Sequence, residues 1–183
     1  ESRNPKTLQE KSGRVTYTDF AESHGADLVA LNLQDGREEW RQTLSFPKGL
    51  QNGSLLCAGD ILILQYSRNE KTVRYDTRAF DYRSGKLIWS QTQDNRNRAG
   101  GDHGEQDHHP VVIGEKLIVE PFAYELRTGK LLKDYNLRRP GHGCGTMSAS
   151  ASSLYFRATN PTEYLIDERR HRKITSVSRP GCW

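Results

Sequence analysis

An internal repeat is the feature that most constrains the fold of this 183-residue chain. Three segments align without gaps, at residues 30–40, 79–89 and 123–133. They share the pattern Ala-x-Asp/Glu/Asn-x-x-Ser/Thr/Asp-Gly-x-x-x-Trp/Lys, in which the glycines are Gly36, Gly85 and Gly129. These glycines lie 49 and 44 residues apart. Periods of about 40 to 50 residues are typical of propellers and of some solenoids, so the chain is predicted to consist of repeated small sheets.

Each repeat has the signature of a β-hairpin. The residues before the glycine alternate between two faces, as in a strand, and an Asp-Gly, Ser-Gly or Thr-Gly pair supplies the turn. Glycine adopts the positive φ of such turns more easily than other residues. A second strand follows and contains Trp40 or Trp89, which is large enough to fill the gap between neighbouring blades. One more strand is predicted ahead of each of the later hairpins, in residues 55–65 and 111–120.

These units predict an all-β fold, a β-propeller of four-stranded antiparallel blades, with no helix longer than two turns. A fourth unit, at residues 148–177, keeps its first strand in residues 153–157 but lacks the Gly and Trp positions. The approximate blades are residues 14–52, 53–105, 106–143 and 144–183 of a single domain, 1–183. Since propellers have about four to eight blades, we expect an incomplete ring of about four blades. Its exposed blade edges would take the remainder of the propeller or a partner protein.

Composition excludes several classes of protein. Hydrophobic residues make up 34% of the chain and charged residues 27%, which is too polar for a membrane protein and too apolar for a disordered one. No apolar run approaches the roughly 20 residues of a membrane-spanning helix. The net charge is +4, and the basic residues are not interleaved with aromatic ones, so the sequence disfavours nucleic-acid binding.

The three cysteines have different surroundings. Cys57 lies in an apolar strand segment and is predicted to be a small core residue. Cys144 and Cys182 lie in glycine-rich turns, and each follows an Arg-Pro-Gly tripeptide, at residues 139–141 or 179–181. We predict that both are oxidised, to each other or to cysteines outside this chain. Such disulfides require an oxidising compartment, which favours a periplasmic or extracellular location.

The polar segment of residues 94–109 is the least repeat-like part of the chain. It contains His103, His108 and His109 together with several carboxylates. Imidazole and carboxylate groups are ligands of zinc, manganese and related ions, and ligands often bind among propeller loops. One hypothesis is a metal or acid/base site made by the three histidines. The alternative is a solvated connector that leads into the next strand.

A second candidate segment comprises residues 138–145, with Arg139 and His142. Its three glycines allow close approach of the backbone to a ligand, and its arginines can hold a carboxylate or a sulfate. Together with His108 and His109, Arg139 and His142 are the candidate catalytic residues. The alternative is that this segment and residues 179–182 are two equivalent structural turns.

The repeat pattern resembles that of the PQQ-like, or quinoprotein-type, β-propeller repeat family. The resemblance covers about residues 27–137 and comes closest to the full consensus at residues 79–89. Further stretches are similar to one bacterial subgroup of large PQQ-like propeller proteins, at residues 107–114, 120–124, 143–150 and 179–183. The family resemblance implies that PQQ with a calcium ion is a possible cofactor. Quinone enzymes of the alcohol-dehydrogenase type carry an adjacent Cys-Cys pair, and this chain has none.

The sequence therefore favours a non-catalytic, extracytoplasmic binding module or scaffold for a partner protein or a polysaccharide. The alternative is a propeller enzyme, either a quinone-dependent dehydrogenase or a metal-assisted polysaccharide lyase that uses a transition metal. No specific motif supports either cofactor. Retained calcium or quinone would favour the dehydrogenase, and a transition metal at the histidine segment would favour the lyase. The lack of both, together with exposed apolar strand edges, would favour the scaffold.

Overall fold

The computed structural model describes residues 9–11, 14–16, 26–46, 50–69, 73–95, 109–140 and 146–174. These residues form fifteen β-strands in five antiparallel sheets, and none of them is helical. The predicted all-β class is therefore confirmed. The described part of the chain contains no helix that is long and apolar enough to cross a membrane.

Every sheet is a meander in which strands consecutive in sequence are neighbours. A short N-terminal hairpin contains β1 (Gln9–Lys11) and β2 (Arg14–Thr16). The first sheet contains β3 (Ala26–Leu31) and β4 (Glu38–Leu44). The second contains β5 (Leu50–Ala58), β6 (Ile61–Asn69), β7 (Val73–Asp81) and β8 (Leu87–Asn95). The third contains β9 (Val111–Ile113), β10 (Lys116–Val119) and β11 (Phe122–Glu125). The fourth contains β12 (Ser148–Ala149), β13 (Ser153–Arg157), β14 (Pro161–Leu165) and β15 (Arg170–Lys173). Successive short antiparallel meanders are the architecture of propeller blades.

The three repeat glycines form the turns that the sequence predicts. Gly36, Gly85 and Gly129 have φ values of 72°, 68° and 68°. Each donates its backbone N–H to the carbonyl four residues earlier at 2.8 Å. In the third sheet the strand after the turn is reduced to one bridge, between Tyr124 and Leu131. Within the described residues, only the second and fourth sheets therefore have the four strands expected of a blade.

The segments predicted as single strands ahead of the later hairpins are themselves hairpins. Gly59 (φ 62°) separates β5 from β6, and Gly114 (φ 56°) separates β9 from β10. The single-strand prediction was wrong because each segment is an apolar run whose one glycine takes positive φ and reverses the chain. The extra strand at each place is what makes the second sheet four-stranded and the third sheet three-stranded.

Tryptophans join the first three sheets. A Cβ on Gly85 would lie 2.6 Å from Trp40 Cε3, and a Cβ on Gly129 would lie 2.6 Å from Trp89 Cδ2. The Trp40 indole donates to the carbonyl of Tyr82 at 3.0 Å, and the Trp89 indole donates to the carbonyl of Leu126 at 2.9 Å. We call this arrangement the Trp–Gly contact. It fulfils the expectation that the repeat tryptophan fills the space between neighbouring blades.

Two apolar clusters lie between the later sheets, and β10 contributes to both. Leu117 and Val119 pack with residues of the second sheet, whereas Ile118 packs with residues of the fourth. This division follows from the alternation of side chains along a strand. The cluster shared with the second sheet also includes Ile61, Ile63, Ala79, Trp89, Tyr124 and Leu126. The cluster shared with the fourth sheet also includes Val111, Ala123, Leu137, Met147, Leu154, Phe156, Ala158 and Tyr164.

Cys57 is exposed, so its assignment to the core was wrong. It lies on β5, an edge strand of the second sheet, and its neighbours Leu56 and Ala58 pack against the core between the second and third sheets. Since side chains alternate along a strand, Cys57 points to the opposite face. An apolar sequence around a cysteine does not reveal which face of an edge strand is covered.

Candidate functional site: a cleft between the third and fourth sheets

The junction between the third and fourth sheets lacks both halves of the Trp–Gly contact. Lys133 occupies the repeat position of Trp40 and Trp89, and its side chain is exposed. In the hairpin between β14 and β15, the residue with positive φ is Arg169, at 51°. Because no repeat tryptophan packs on this turn, a side chain fits at the position where the second and third hairpins require glycine. The two departures from the repeat therefore occur together at one junction.

An open cleft with a volume of about 490 Å³ occupies this junction. Its aromatic and aliphatic lining comes from Tyr135, Leu137, Tyr164 and Ile166, with His171. Its charged lining comes from Lys116, Asp134, Asp167 and Arg169. Sites for small ligands are concave, have volumes of about 300–1,000 Å³ and combine apolar walls with a few polar groups. The cleft has these properties, so it is the candidate functional site of the described residues.

Tyr135 lines the cleft with its ring and carries a buried hydroxyl. Its hydroxyl oxygen is buried and finds no hydrogen-bond partner among the described residues. Burial raises the pKa of Tyr135, and repulsion from Tyr164, when that group is ionised, and from Glu120 raises it further. The hydroxyl therefore stays protonated and can both donate and accept a hydrogen bond. A buried hydroxyl without a partner costs about 1–3 kcal/mol.

A buried ion pair lies beside the cleft. Arg139 Nε is 2.9 Å from Glu120 Oε2, and their side chains are 0% and 4% exposed. The Arg139 backbone N–H also donates to Glu120 Oε1 at 2.8 Å. The guanidinium carbon lies 5.4 Å from the ring centre of Phe156 in β13, and Gln93 in β8 donates to the Glu120 carbonyl at 2.6 Å. The pair thus connects residues of the second, third and fourth sheets.

Two histidines near the ion pair have lowered pKa values, the partly buried His109 and the exposed His171. Burial lowers the pKa of His109, and the positive charge of Arg139 lowers it further. Burial also lowers the pKa of His171, whereas a hydrogen bond to the backbone of Arg138 and the charge of Glu120 act in the opposite direction. The His171 ring packs 5.0 Å from the ring of Tyr164, centre to centre. Both imidazoles are therefore held toward the neutral form.

The structure places only some of the residues singled out in the sequence. His109 and Arg139 come close enough for the arginine charge to act on the histidine. His103, His108, His142, Cys144 and Cys182 lie outside the described residues. Within the described ranges, no three His, Cys, Asp or Glu side chains are grouped as metal ligands. The metal site, the catalytic roles and the disulfides therefore stay predictions.

The cleft residues themselves were not singled out in the sequence. Tyr135, Glu120 and His171 carry no motif, and Glu120 appeared only within a stretch similar to other propellers. A signal was nevertheless present, because the third repeat has Lys133 for Trp and the fourth lacks the glycine. A break in a repeat marks the place where neighbouring units pack differently.

Successive meanders joined by Trp–Gly contacts define this protein as a β-propeller protein with PQQ-like repeats. The family model described as outer membrane protein assembly factor BamB matches residues 9–153, and the chain belongs to this family. It is also 32% identical over 110 residues to the outer membrane protein assembly factor BamB of Burkholderia pseudomallei (strain K96243). That match covers 59% of this chain and 27% of the relative, so the chain corresponds to about a quarter of that protein.

Proposed function

We propose that this chain is part of an extracytoplasmic propeller scaffold that binds a partner protein in the assembly of outer membrane proteins. In this proposal the first, second, third and fourth sheets belong to successive blades with the approximate limits 14–52, 53–105, 106–143 and 144–183. The relative whose name contains "outer membrane protein assembly factor" supports both the class of partner and the location outside the cytoplasm. Fold alone does not decide function, so the argument rests on the site.

The observation that carries the proposal is the open cleft between the third and fourth sheets. The first two junctions are closed by Trp40 and Trp89, whereas this one exposes mixed aromatic and charged groups to solvent. A recess lined by rings and by charged groups suits a partner that inserts a side chain. The first sheet supplies further apolar surface, since Leu31 is 58% exposed and Leu33 is fully exposed.

Site-specific photo-crosslinking in cells of the source organism tests this function. A photoreactive amino acid replaces Arg169, which lines the cleft, in the full-length protein. The matched control replaces Arg83, an exposed arginine in the second-sheet hairpin, where Trp40 closes the junction. The expected result is a discrete adduct from position 169 alone, identified by mass spectrometry as a protein that assembles outer membrane proteins. Equal adducts from both positions, or none from position 169, would overturn the proposal.

A further inference from the structure

Resting on the proposed function, we infer that the cleft binds a tryptophan side chain that the partner protein presents on an extended segment. The partner's indole would take the place that Trp40 and Trp89 take at the other two junctions. The inference deepens the proposed function because it names the chemical group that the scaffold recognises.

The two Trp–Gly contacts show what this fold does with an indole. At both junctions the ring lies on a hairpin turn with positive φ. At both, the indole N–H donates to the carbonyl of the second turn residue, Tyr82 or Leu126, at 3.0 and 2.9 Å. The backbone N–H of the turn glycine donates to the carbonyl one residue earlier than that acceptor, which belongs to Asp81 or Glu125. The recognition is therefore a stacked ring together with one hydrogen bond to a hairpin.

The fourth hairpin keeps a comparable turn but has a different backbone hydrogen bond. The N–H of Arg169 donates to the carbonyl of Ile166, three residues earlier, at 3.3 Å, whereas the turn glycines donate four residues back at 2.8 Å. Ile166 lies three residues before the residue with positive φ, as Tyr82 and Leu126 do, and it lines the cleft. A carbonyl oxygen can accept a second hydrogen bond, and the neighbouring Asp167 also lines the cleft, so the Ile166 carbonyl and the Asp167 carboxylate are acceptors for an indole N–H. Lys133, aligned with the two tryptophans, is exposed.

The lining of the cleft favours an aromatic ring over an aliphatic side chain. Tyr135, Tyr164 and His171 provide ring surfaces for edge-to-face or offset contacts, which contribute beyond the area that they bury. Lys116 and Arg169 provide cations, and indole is the best partner for a cation–π contact. The volume of about 490 Å³ leaves room for an indole and for flanking peptide groups.

Peptide titration measures this recognition directly. The probe is a neutral five-residue peptide with a central tryptophan, and the control peptides carry leucine or phenylalanine there. Binding to the purified ¹⁵N-labelled full chain is followed by chemical-shift changes. We expect the tryptophan peptide to bind about tenfold more tightly than the leucine peptide, a difference of about 1.4 kcal/mol. The shifts should centre on residues 134–137 and 164–171.

Three variants sharpen the test. Tyr135→Ala is expected to weaken binding of the tryptophan peptide several-fold, since it removes one of the rings that line the cleft. The matched control, Tyr82→Ala, changes an exposed tyrosine outside the cleft and should leave binding unchanged. The double variant Lys133→Trp with Arg169→Gly rebuilds the Trp–Gly contact within the chain, so it should abolish peptide binding and raise stability.

Several results would overturn the inference. Equal affinity for the tryptophan and leucine peptides would exclude indole recognition, and undiminished binding by a folded double variant would exclude this cleft. A large gain in affinity on Trp183→Ala would mean that the chain's own tryptophan is the occupant. The proposed function stands separately on the crosslinking result. A cleft-specific adduct without tryptophan selectivity would remove the inference alone, and peptide selectivity without an adduct would remove the proposed function alone.

Discussion

The junction between the second and third sheets and the junction between the third and fourth sheets perform the same structural task with different chemistry. The former uses Trp89, which is 8% exposed, stacks on Gly129 and donates one hydrogen bond. The latter uses the buried Glu120–Arg139 pair and leaves a cleft. A large apolar ring closes a gap between sheets without any demand for charge neutralisation. A charged pair holds the sheets together but does not fill the space between them.

The largest effect is expected from the Trp-closed junction. Trp89→Ala should lower the free energy of unfolding by about 3–5 kcal/mol, because it removes a buried ring and its inter-sheet hydrogen bond. Trp40→Ala is the control, since Trp40 is only half-buried, and it should have a smaller effect. Urea unfolding followed by circular dichroism measures both. An equal loss for the two variants would show that the greater burial of Trp89 does not make its contact more stabilising than that of Trp40.

The charged junction should respond nearly as strongly. Glu120→Ala removes the carboxylate that faces the buried Arg139 guanidinium, and breaking a buried ion pair in this way costs about 3–5 kcal/mol of stability. Asp60→Ala is the matched control, because Asp60 pairs with Arg127 on the surface, where both side chains are more than half exposed. Exposed pairs contribute about 0–1 kcal/mol. A loss below about 1 kcal/mol for Glu120→Ala would refute the role of the pair in joining the sheets.

Two glycine substitutions with intermediate expected effects separate the cost of colliding with the tryptophan ring from the cost of backbone strain. Gly36→Ala and Gly129→Ala both place a side chain at positive φ, which costs about 1–2 kcal/mol. Only at Gly129 would the new Cβ also collide with the Trp89 ring, since nothing lies within 4 Å of a Cβ on Gly36. Gly129→Ala should therefore be the more destabilising by about 1 kcal/mol or more. Similar unfolding midpoints for the two variants would mean that the ring moves away freely.

The smallest effect concerns pH. The pKa of His109 is lowered from its usual value of 6.5 by burial and then by Arg139. Below that pH the unfolded chain binds more protons than the folded chain, so stability falls as the solution becomes more acidic. His109→Asn should reduce this slope and change stability little at pH values well above 6.5. Urea midpoints across the acidic range provide the measurement, and an unchanged slope would assign the acid sensitivity to other groups such as His171.

The sequence by itself determined the repeated hairpins of this protein. Gly36, Gly85 and Gly129 take positive φ, and Trp40 and Trp89 fill the spaces between sheets, as their spacing predicted. These features are predictable because they depend on local preferences, namely strand alternation and the conformational freedom of glycine. The same local information misjudged residues 55–65 and 111–120, since a single glycine inside an apolar run decides whether the chain continues or turns.

Only the tertiary structure decided the candidate site. Glu120 and Arg139 are separated by 19 residues in sequence, and Phe156 and Gln93 reach the pair from other sheets. The exposure of Cys57 likewise depends on which face of β5 a neighbouring sheet covers. The sequence showed that the fourth unit lacks the repeat's Gly and Trp positions, but it did not show what lies there instead. The cleft arises from side chains of the third and fourth sheets that meet only when the sheets pack, because burial is a property of the assembled fold and not of any one segment.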